Sequence, residues 1–356
     1  MDLRSLETTV GMQPHDLTDR ERQVLDAVIQ AYVDTAEPAG SRTIAKRFPL
    51  GISAATIRNT MSDLEDRGYL YHPHTSAGRI PTDLAYRVYV DDIMNAPRVT
   101  PSEYVALTTQ IGGHPNALQT MLDRAAQVLG MVTKELGIAV APSFDDAILD
   151  QLQMFPVSSE RLLMVLVLRH GAARTIFLEI PSGLPPDAVD QVARVLNERL
   201  SGLTLREIRT TLRERLRDVS GANGERGLIN VFLEESDQLF TGSDEAAPGL
   251  LLGSARILAD QPEFRSEERM RDLMALTERR DVLREALRNR QSGPGVTITI
   301  GAENVDPQLA NFTLVTSTYS AGTIHGVIGV MGPTRMSYEK VIALVEHTSR
   351  LIGDLL

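Results

Sequence analysis

The sequence contains no cysteine. That excludes disulfides, thiol catalysis, thiolate zinc sites and cysteine-held iron–sulfur clusters. Long apolar runs are absent too: the longest, Leu162–Leu168, is far shorter than the roughly 20 residues that span a bilayer. The opening stretch, MDLRSLETTVGMQPHDL, has no apolar segment of the kind a secretory signal uses, so a cytoplasmic location and no membrane partner are expected. Lysine is scarce, three beside 33 arginines, which reads as composition bias rather than function. There is no Walker loop, no Gly-x-Ser-x-Gly elbow and no paired His/Asp/Glu cluster, so neither enzyme activity nor a cofactor is expected. Gly326, Gly329 and Gly332 recur every third residue, but without the spacing of a dinucleotide loop; they read as a strand with small residues.

What is present is a chain of 356 residues, long enough for two or three domains with separate cores. Its formal charge of −11 argues against a nucleic-acid partner, since such proteins usually show a basic footprint. The charge is unevenly spread, however. From Pro38 to Ser62 there is no Asp or Glu, while Arg42, Lys46, Arg47 and Arg58 make that window +4. A local basic face on an acidic protein suits binding to a particular DNA site without affinity for bulk polyanion.

The same window has a recognisable architecture. Thr18 and Glu21 form a capping-box pattern, and Val24, Leu25, Val28, Ile29 and Tyr32 follow at helical spacing. After Pro38-Ala39-Gly40, a short helix is expected over Ser41–Phe48. A tight turn at Pro49–Ile52 follows, then a third helix capped by Ser53 and running to about Arg67, with Gly68 at its left-handed end. Tyr69-Leu70-Tyr71 and Ile80-Pro81-Thr82 read as strands around a turn-rich tip, His72–Arg79, and a helix follows from Asp83 to about Met94. Three helices and a hairpin in this order predict a winged helix-turn-helix.

On the third helix Ile57, Met61 and Leu64 fall on one side. Ala55, Asn59 and Ser62 fall on the other, flanked by Thr56 and Arg58. Small and polar groups with one amide and one guanidinium suit a major groove, where Asn and Arg can reach base edges. Ser53 leaves a helix N-terminus open to a phosphate, and Arg42, Lys46 and Arg47 are expected on the backbone. The hairpin tip carries donors and a glycine but no acid, which makes His74, Thr75, Ser76 and Arg79 candidate DNA contacts. His72 and His74 lack further metal ligands nearby, so no zinc is expected there. The competing reading is a small helical module that binds protein rather than DNA. A single recognition helix reads few base pairs, so a homodimer on a palindromic site is expected.

Beyond the linker Asn95-Ala96-Pro97 the chain alternates helices and strands, an α+β pattern. Helices are expected over about Pro115–Leu136, Pro185–Leu200, Thr204–Val219, Glu225–Phe240, Ser266–Arg290 and Ser337–Leu356. Strands are expected at Gly137–Ala141, Leu149–Pro156, Arg161–Arg169, Ala173–Ile180, Val296–Gly301, Thr313–Ser320 and Thr323–Met331. Gly249–Leu258 fits strand or helix, and Thr241–Pro248 is a loop. Arg335 could bind an anion, although a salt bridge that positions domains is the preferred reading.

The run from Glu37 to Asp91 resembles the N-terminal signature of the HrcA family of heat-inducible repressors. The likeness lies in Ser53–Asn59, which matches a Ser-Ala-Thr-Ile-Arg-Asn core with one Ala inserted, and in Pro73–Thr82, which matches without a gap. Further matches are Gly332–Met336 (Gly-Pro-Thr-Arg-Met), Pro262–Arg265 and Ile300–Asn304. The resemblance spans about Leu17 to Leu356, and residues 1–16 match nothing in it.

The resemblance implies a multidomain α+β fold. A winged helix at 17–95 would be followed by a discontinuous GAF-like domain at 101–148 and 262–356, interrupted by an inserted α/β dimerisation domain at 149–261. It implies repression of chaperonin and DnaK-type chaperone operons through an inverted-repeat operator, the controlling inverted repeat of chaperone expression. Chaperonin would act as modulator of the repressor. A metabolite-sensing, GAF-type DNA-binding regulator is the alternative.

Overall fold

The computed structural model describes residues 17–74, 77–94, 99–112, 118–144, 147–169, 173–182, 185–218, 223–235, 239–240, 249–288, 290, 295–321 and 324–355. The expected linker at residues 95–97 and loop at 241–248 lie outside them.

The first unit follows its local signals closely. Helix α1 (Asp19–Thr35) starts with the capping box, since the Thr18 side chain accepts from the Glu21 amide and the Glu21 carboxylate accepts from the Thr18 amide. It ends at Ala36 in the left-handed region. Helix α2 (Ser41–Arg47) and helix α3 (Ala54–Asp66) follow, and Gly68 has the positive φ, +80°, that its position required. Strands β1 (Leu70–Tyr71) and β2 (Ile80–Pro81) pair antiparallel, Leu70 opposite Pro81 and Tyr71 opposite Ile80. Helix α4 (Asp83–Val88), capped by Thr82, runs into one wide turn at Tyr89–Ile93.

The second unit is built on a five-stranded antiparallel sheet in the order β7-β3-β10-β9-β8. Its strands are β3 (Leu136–Ser143), β7 (Leu250–Leu252), β8 (Val296–Ile300), β9 (Phe312–Ala321) and β10 (Ile324–Pro333). The period of two decides what each face buries. Val315, Tyr319, Ile328 and Val330 pack under helix α6 (Leu118–Thr133) and the last helix, Tyr338–Leu355. Leu314, Phe312, Val327 and Met331 pack under the helices Glu267–Glu278 and Arg280–Arg288. One charged helix was expected there to Arg290; the chain breaks at Arg279 instead. The two shorter pieces lay Leu273, Leu276, Leu283 and Leu287 into one core. Helix α5 (Pro101–Gly112) was not expected at all.

Between β3 and β7 the chain leaves this sheet to form a separate unit. Strands β4 (Leu149–Ser158), β5 (Arg161–Leu168) and β6 (Ala173–Glu179) make an antiparallel meander. Helices α7 (Pro186–Leu200), α8 (Leu205–Arg215) and α9 (Asn223–Glu234) cover one face. Asn197 ties α7 to β4 by accepting from the Leu152 amide and donating to the Leu152 carbonyl, both at 2.7 Å. The expected insertion, 149–261, is too long at its C-terminal side. Leu250–Leu252 pairs with Val140–Ile138 of β3, so this stretch belongs to the five-stranded sheet.

The first two units share one buried cluster, which runs without interruption from Val24 and Leu25 through Tyr86 to Tyr338 and Val345. Polar groups reinforce the seam. Arg87 on α4 bonds Glu303 through Nε at 2.8 Å and also donates to the Ile298 carbonyl at 2.9 Å. The Ala302 amide donates to Asp83 at 3.1 Å, and Gly301, at φ +53°, leaves no room for a Cβ, which would stand 1.9 Å from that carboxylate. Arg335 pairs with Glu263 and donates to the Val33 carbonyl at 2.6 Å, near the end of α1. The Ile300–Asn304 and Gly332–Met336 segments therefore meet the first unit, Pro262–Arg265 is tied to them through the Glu263–Arg335 pair, and Arg335 is a bridge between units.

Candidate nucleic-acid interface

Helix α3 separates its two faces as its sequence demands. Ile57, Thr60, Met61 and Leu64 are buried against the rest of the first unit, whereas Ala55, Arg58, Asn59 and Ser62 are exposed. Thr56 lies between, half-buried, with its hydroxyl 2.9 Å from that of Ser53. The Ser53 side chain accepts from the Thr56 amide at 3.1 Å, so it caps the helix as expected. The exposed face carries two long polar groups, Arg58 and Asn59, among small residues that leave it open.

Helix α3 is fixed at its far end too. Arg67 pairs with Glu21 of α1 at 2.9 Å. Burial pushes the Glu21 carboxyl up, but hydrogen bonds from Thr18 and Arg67 outweigh it and hold the group below the usual carboxylate range.

The expected backbone contacts divide. Arg42 and Lys46 on α2 are exposed. Arg47 is exposed as well, but its guanidinium pairs with Asp34 on α1 and lies over the Phe48 ring, 5.4 Å from its centroid. At the hairpin, His74 is exposed, and Thr75 and Ser76 lie outside the described residues. Arg79 differs from its expected role at the surface: its side chain is only 14% exposed and pairs with Glu65 at 2.7 Å. The other oxygen of Glu65 meets His72 Nδ1 at 2.5 Å. Reading the sequence missed Glu65 and Asp34. Each lies beyond the acid that brackets the acid-free window, Glu37 or Asp63, and no local signal sets it apart from those neighbours.

No group of three or more His, Asp or Glu that could hold a metal occurs among the described residues, and no helix there is long and apolar enough to cross a membrane.

The fold and the open face of α3 define a class of protein: a multi-unit chain with a capped helix whose polar face is exposed beside a short hairpin. Comparison narrows it. The family model described as "HrcA protein C terminal domain" matches residues 119–342. The heat-inducible transcription repressor HrcA of Chlorobium phaeovibrioides is 39% identical over 350 residues, covering 94% of this chain and 96% of its own. The repressor of the same description from Chlorobium phaeobacteroides (strain BS1) is 40% identical over 346 residues, covering 94% and 97%. A solved structure described as a hypothetical protein, 23% identical, superposes with a TM-score of 0.63 over 95% of this chain and 98% of its own, a likeness of fold. The chain belongs to the HrcA family of heat-inducible transcription repressors, which is a family of regulators and not of enzymes.

Proposed function

We propose that the protein represses chaperonin and DnaK-type chaperone operons in the cytoplasm by binding, as a homodimer, an inverted repeat upstream of them. The first unit acts as a winged helix, with α3 in the major groove and the hairpin as wing. The observation that carries this reading is the face of α3: Arg58 and Asn59 exposed among Ala55 and Ser62, with every large apolar side chain turned inward. Arg58 and Asn59 read bases, and Arg42 and Lys46 hold phosphates.

The dimer reading draws support from the inserted unit. The β-meander covers one face with helices and leaves the other bare, and on that bare face Phe155, Leu163 and Phe177 stand in one cross-strand row. Phe177 is 66% exposed, Val157 56% and Phe155 48%. An apolar patch of this kind is unusual on a monomer and marks an association surface. The five-stranded sheet between helical layers is the GAF-like domain, and chaperonin acts on the repressor's folding.

The test is quantitative footprinting on an inverted-repeat duplex. Asn59→Ala and Arg58→Ala should each weaken operator binding by about 1–3 kcal/mol and relax specificity. Lys46→Ala should weaken all sequences alike and reduce the salt slope by about one. Unchanged operator affinity in folded Asn59→Ala and Arg58→Ala proteins would remove α3 from the role of base reader.

A further inference from the structure

We propose that Glu65 positions the wing against the recognition helix, with Arg79 as its main partner, so that Arg79 is a strut of the wing and not a phosphate contact. The inference rests on the DNA-binding reading above and names the residues that hold its two reading elements in register.

Glu65 is in the last turn of α3. One carboxylate oxygen meets His72 Nδ1 at 2.5 Å and the other meets Arg79 at 2.7 Å. His72 and Arg79 flank the wing tip on its two sides, so a single side chain on the recognition helix closes the mouth of the hairpin. The returning strand is anchored a second time. The Arg79 amide donates to the Ala39 carbonyl and the Ala39 amide to the Arg79 carbonyl, each at 2.9 Å. Gly78 permits this approach, since a Cβ there would lie 2.4 Å from the Ala39 carbonyl carbon and oxygen.

Two hydrogen-bonded residues, β1 and β2 being so short, would not by themselves fix a wing. The carboxylate supplies the missing constraint. It also gives Arg79 its counter-charge; without Glu65 a mostly buried guanidinium would be left unpaired. The direction of the Arg79 side chain follows: it turns back to α3 and away from a backbone phosphate. His74 is then the described side chain at the tip that is open to DNA.

An acid on a DNA-reading helix repels phosphate, so the two roles open to Glu65 differ in sign. If it is a bystander, removing its charge tightens binding to every sequence. If it is a positioning residue, removal weakens operator binding and frees the wing. The experiment uses the full-length protein with an inverted-repeat duplex, read by affinity, salt slope and hydroxyl-radical footprint. Glu65→Gln should bind the operator about tenfold more weakly and lose protection at the flank under the wing, while protection under α3 persists. Arg79→Met should do the same with an unchanged salt slope, and Arg79→Lys, which keeps the ion pair, should restore the flank. Equal or tighter operator binding by Glu65→Gln with the flank intact overturns the proposal. So does an Arg79→Met salt slope lowered by about 0.9, the signature of one lost phosphate contact. Should Glu65→Gln fail to fold, the Arg79→Met and Arg79→Lys pair decides, and a folded Lys variant that leaves the flank unprotected counts against the strut. Absence of any operator protection by the wild-type protein would instead overturn the DNA-binding reading itself.

Discussion

The first unit and the inserted unit are attached to the five-stranded sheet in opposite ways. The first shares its core: Tyr86 of α4 lies 5.6 Å from Tyr338 of the last helix, ring to ring, and both are fully buried. Three polar ties, through Asp83, Arg87 and Arg335, cross the same seam. The inserted unit keeps a core of its own and turns a bare apolar sheet face outward. A shared core transmits orientation, whereas a separate core with an exposed patch is free to serve association. If the proposed function holds, each DNA-reading unit is set rigidly on the central sheet, and the distance between two of them is fixed through the insert.

The comparison is broken most severely at the insert. Phe177→Asp places a charge on the edge strand of the bare sheet face, at its most exposed aromatic, where burial in a dimer would desolvate it. We expect the dimer to weaken by about a hundredfold or more and operator binding to fall with it, while the melting of the isolated protomer changes little. Light scattering across a dilution series measures this, and an unaltered dimer would move the association surface elsewhere. The seam breaks less drastically. Arg335→Ala removes a guanidinium that is 14% exposed, leaving Glu263 and the Val33 carbonyl without their donor. A cost of about 3 kcal/mol is expected, and calorimetry should show the first unit melting ahead of the sheet. Loss of stability with the transitions still coincident would mean that the apolar core alone couples the units.

Much of this organisation was legible in the chain because it rests on local signals. Thr18 and Glu21, Ser53, Gly68 and the short apolar run Leu162–Leu168 each act within a few residues, and each element formed where expected. The misses have two causes. Helix α5 begins with a box that was overlooked: Thr100 accepts from the Glu103 amide, and Glu103 accepts from that of Thr100. Leu250–Leu252 was ambiguous because three leucines suit strand or helix, and pairing with β3, more than 100 positions away, decides the matter. The open face of α3 was readable from helical spacing. Glu65 was not, since its meaning comes from two hairpin residues that only the fold brings together. A salt bridge between domains was the preferred reading for Arg335; its salt bridge, to Glu263, stays within the second unit, and a hydrogen bond to the Val33 carbonyl makes the crossing.

The smallest expected effect sharpens the comparison at the seam, where a carboxyl is buried beside the Arg335 bridge. Glu135 is 4% exposed and accepts from Gln261 at 3.1 Å; the chain at Gly332 lies so close that a Cβ there would meet its Oε2 at 1.9 Å. Burial pushes this carboxyl well above the usual range, with the Gln261 hydrogen bond and the Arg335 charge opposing it only in part. The sign of the linkage follows. The folded protein keeps the proton while the unfolded chain gives it up at an ordinary carboxylate value. The contribution to stability is therefore complete in acid and declines as pH rises toward the folded group's own titration. Glutamine has the same shape, cannot ionise, and can still accept from Gln261. Glu135→Gln should therefore raise the thermal midpoint at neutral pH, lose that advantage below the ordinary carboxylate range, and flatten the pH dependence between. The inserted unit, with its own core, should melt as before. Thermal scans of both proteins across pH decide it: a variant no more stable than wild type at neutral pH would show that Glu135 is ionised and held in that form by Arg335.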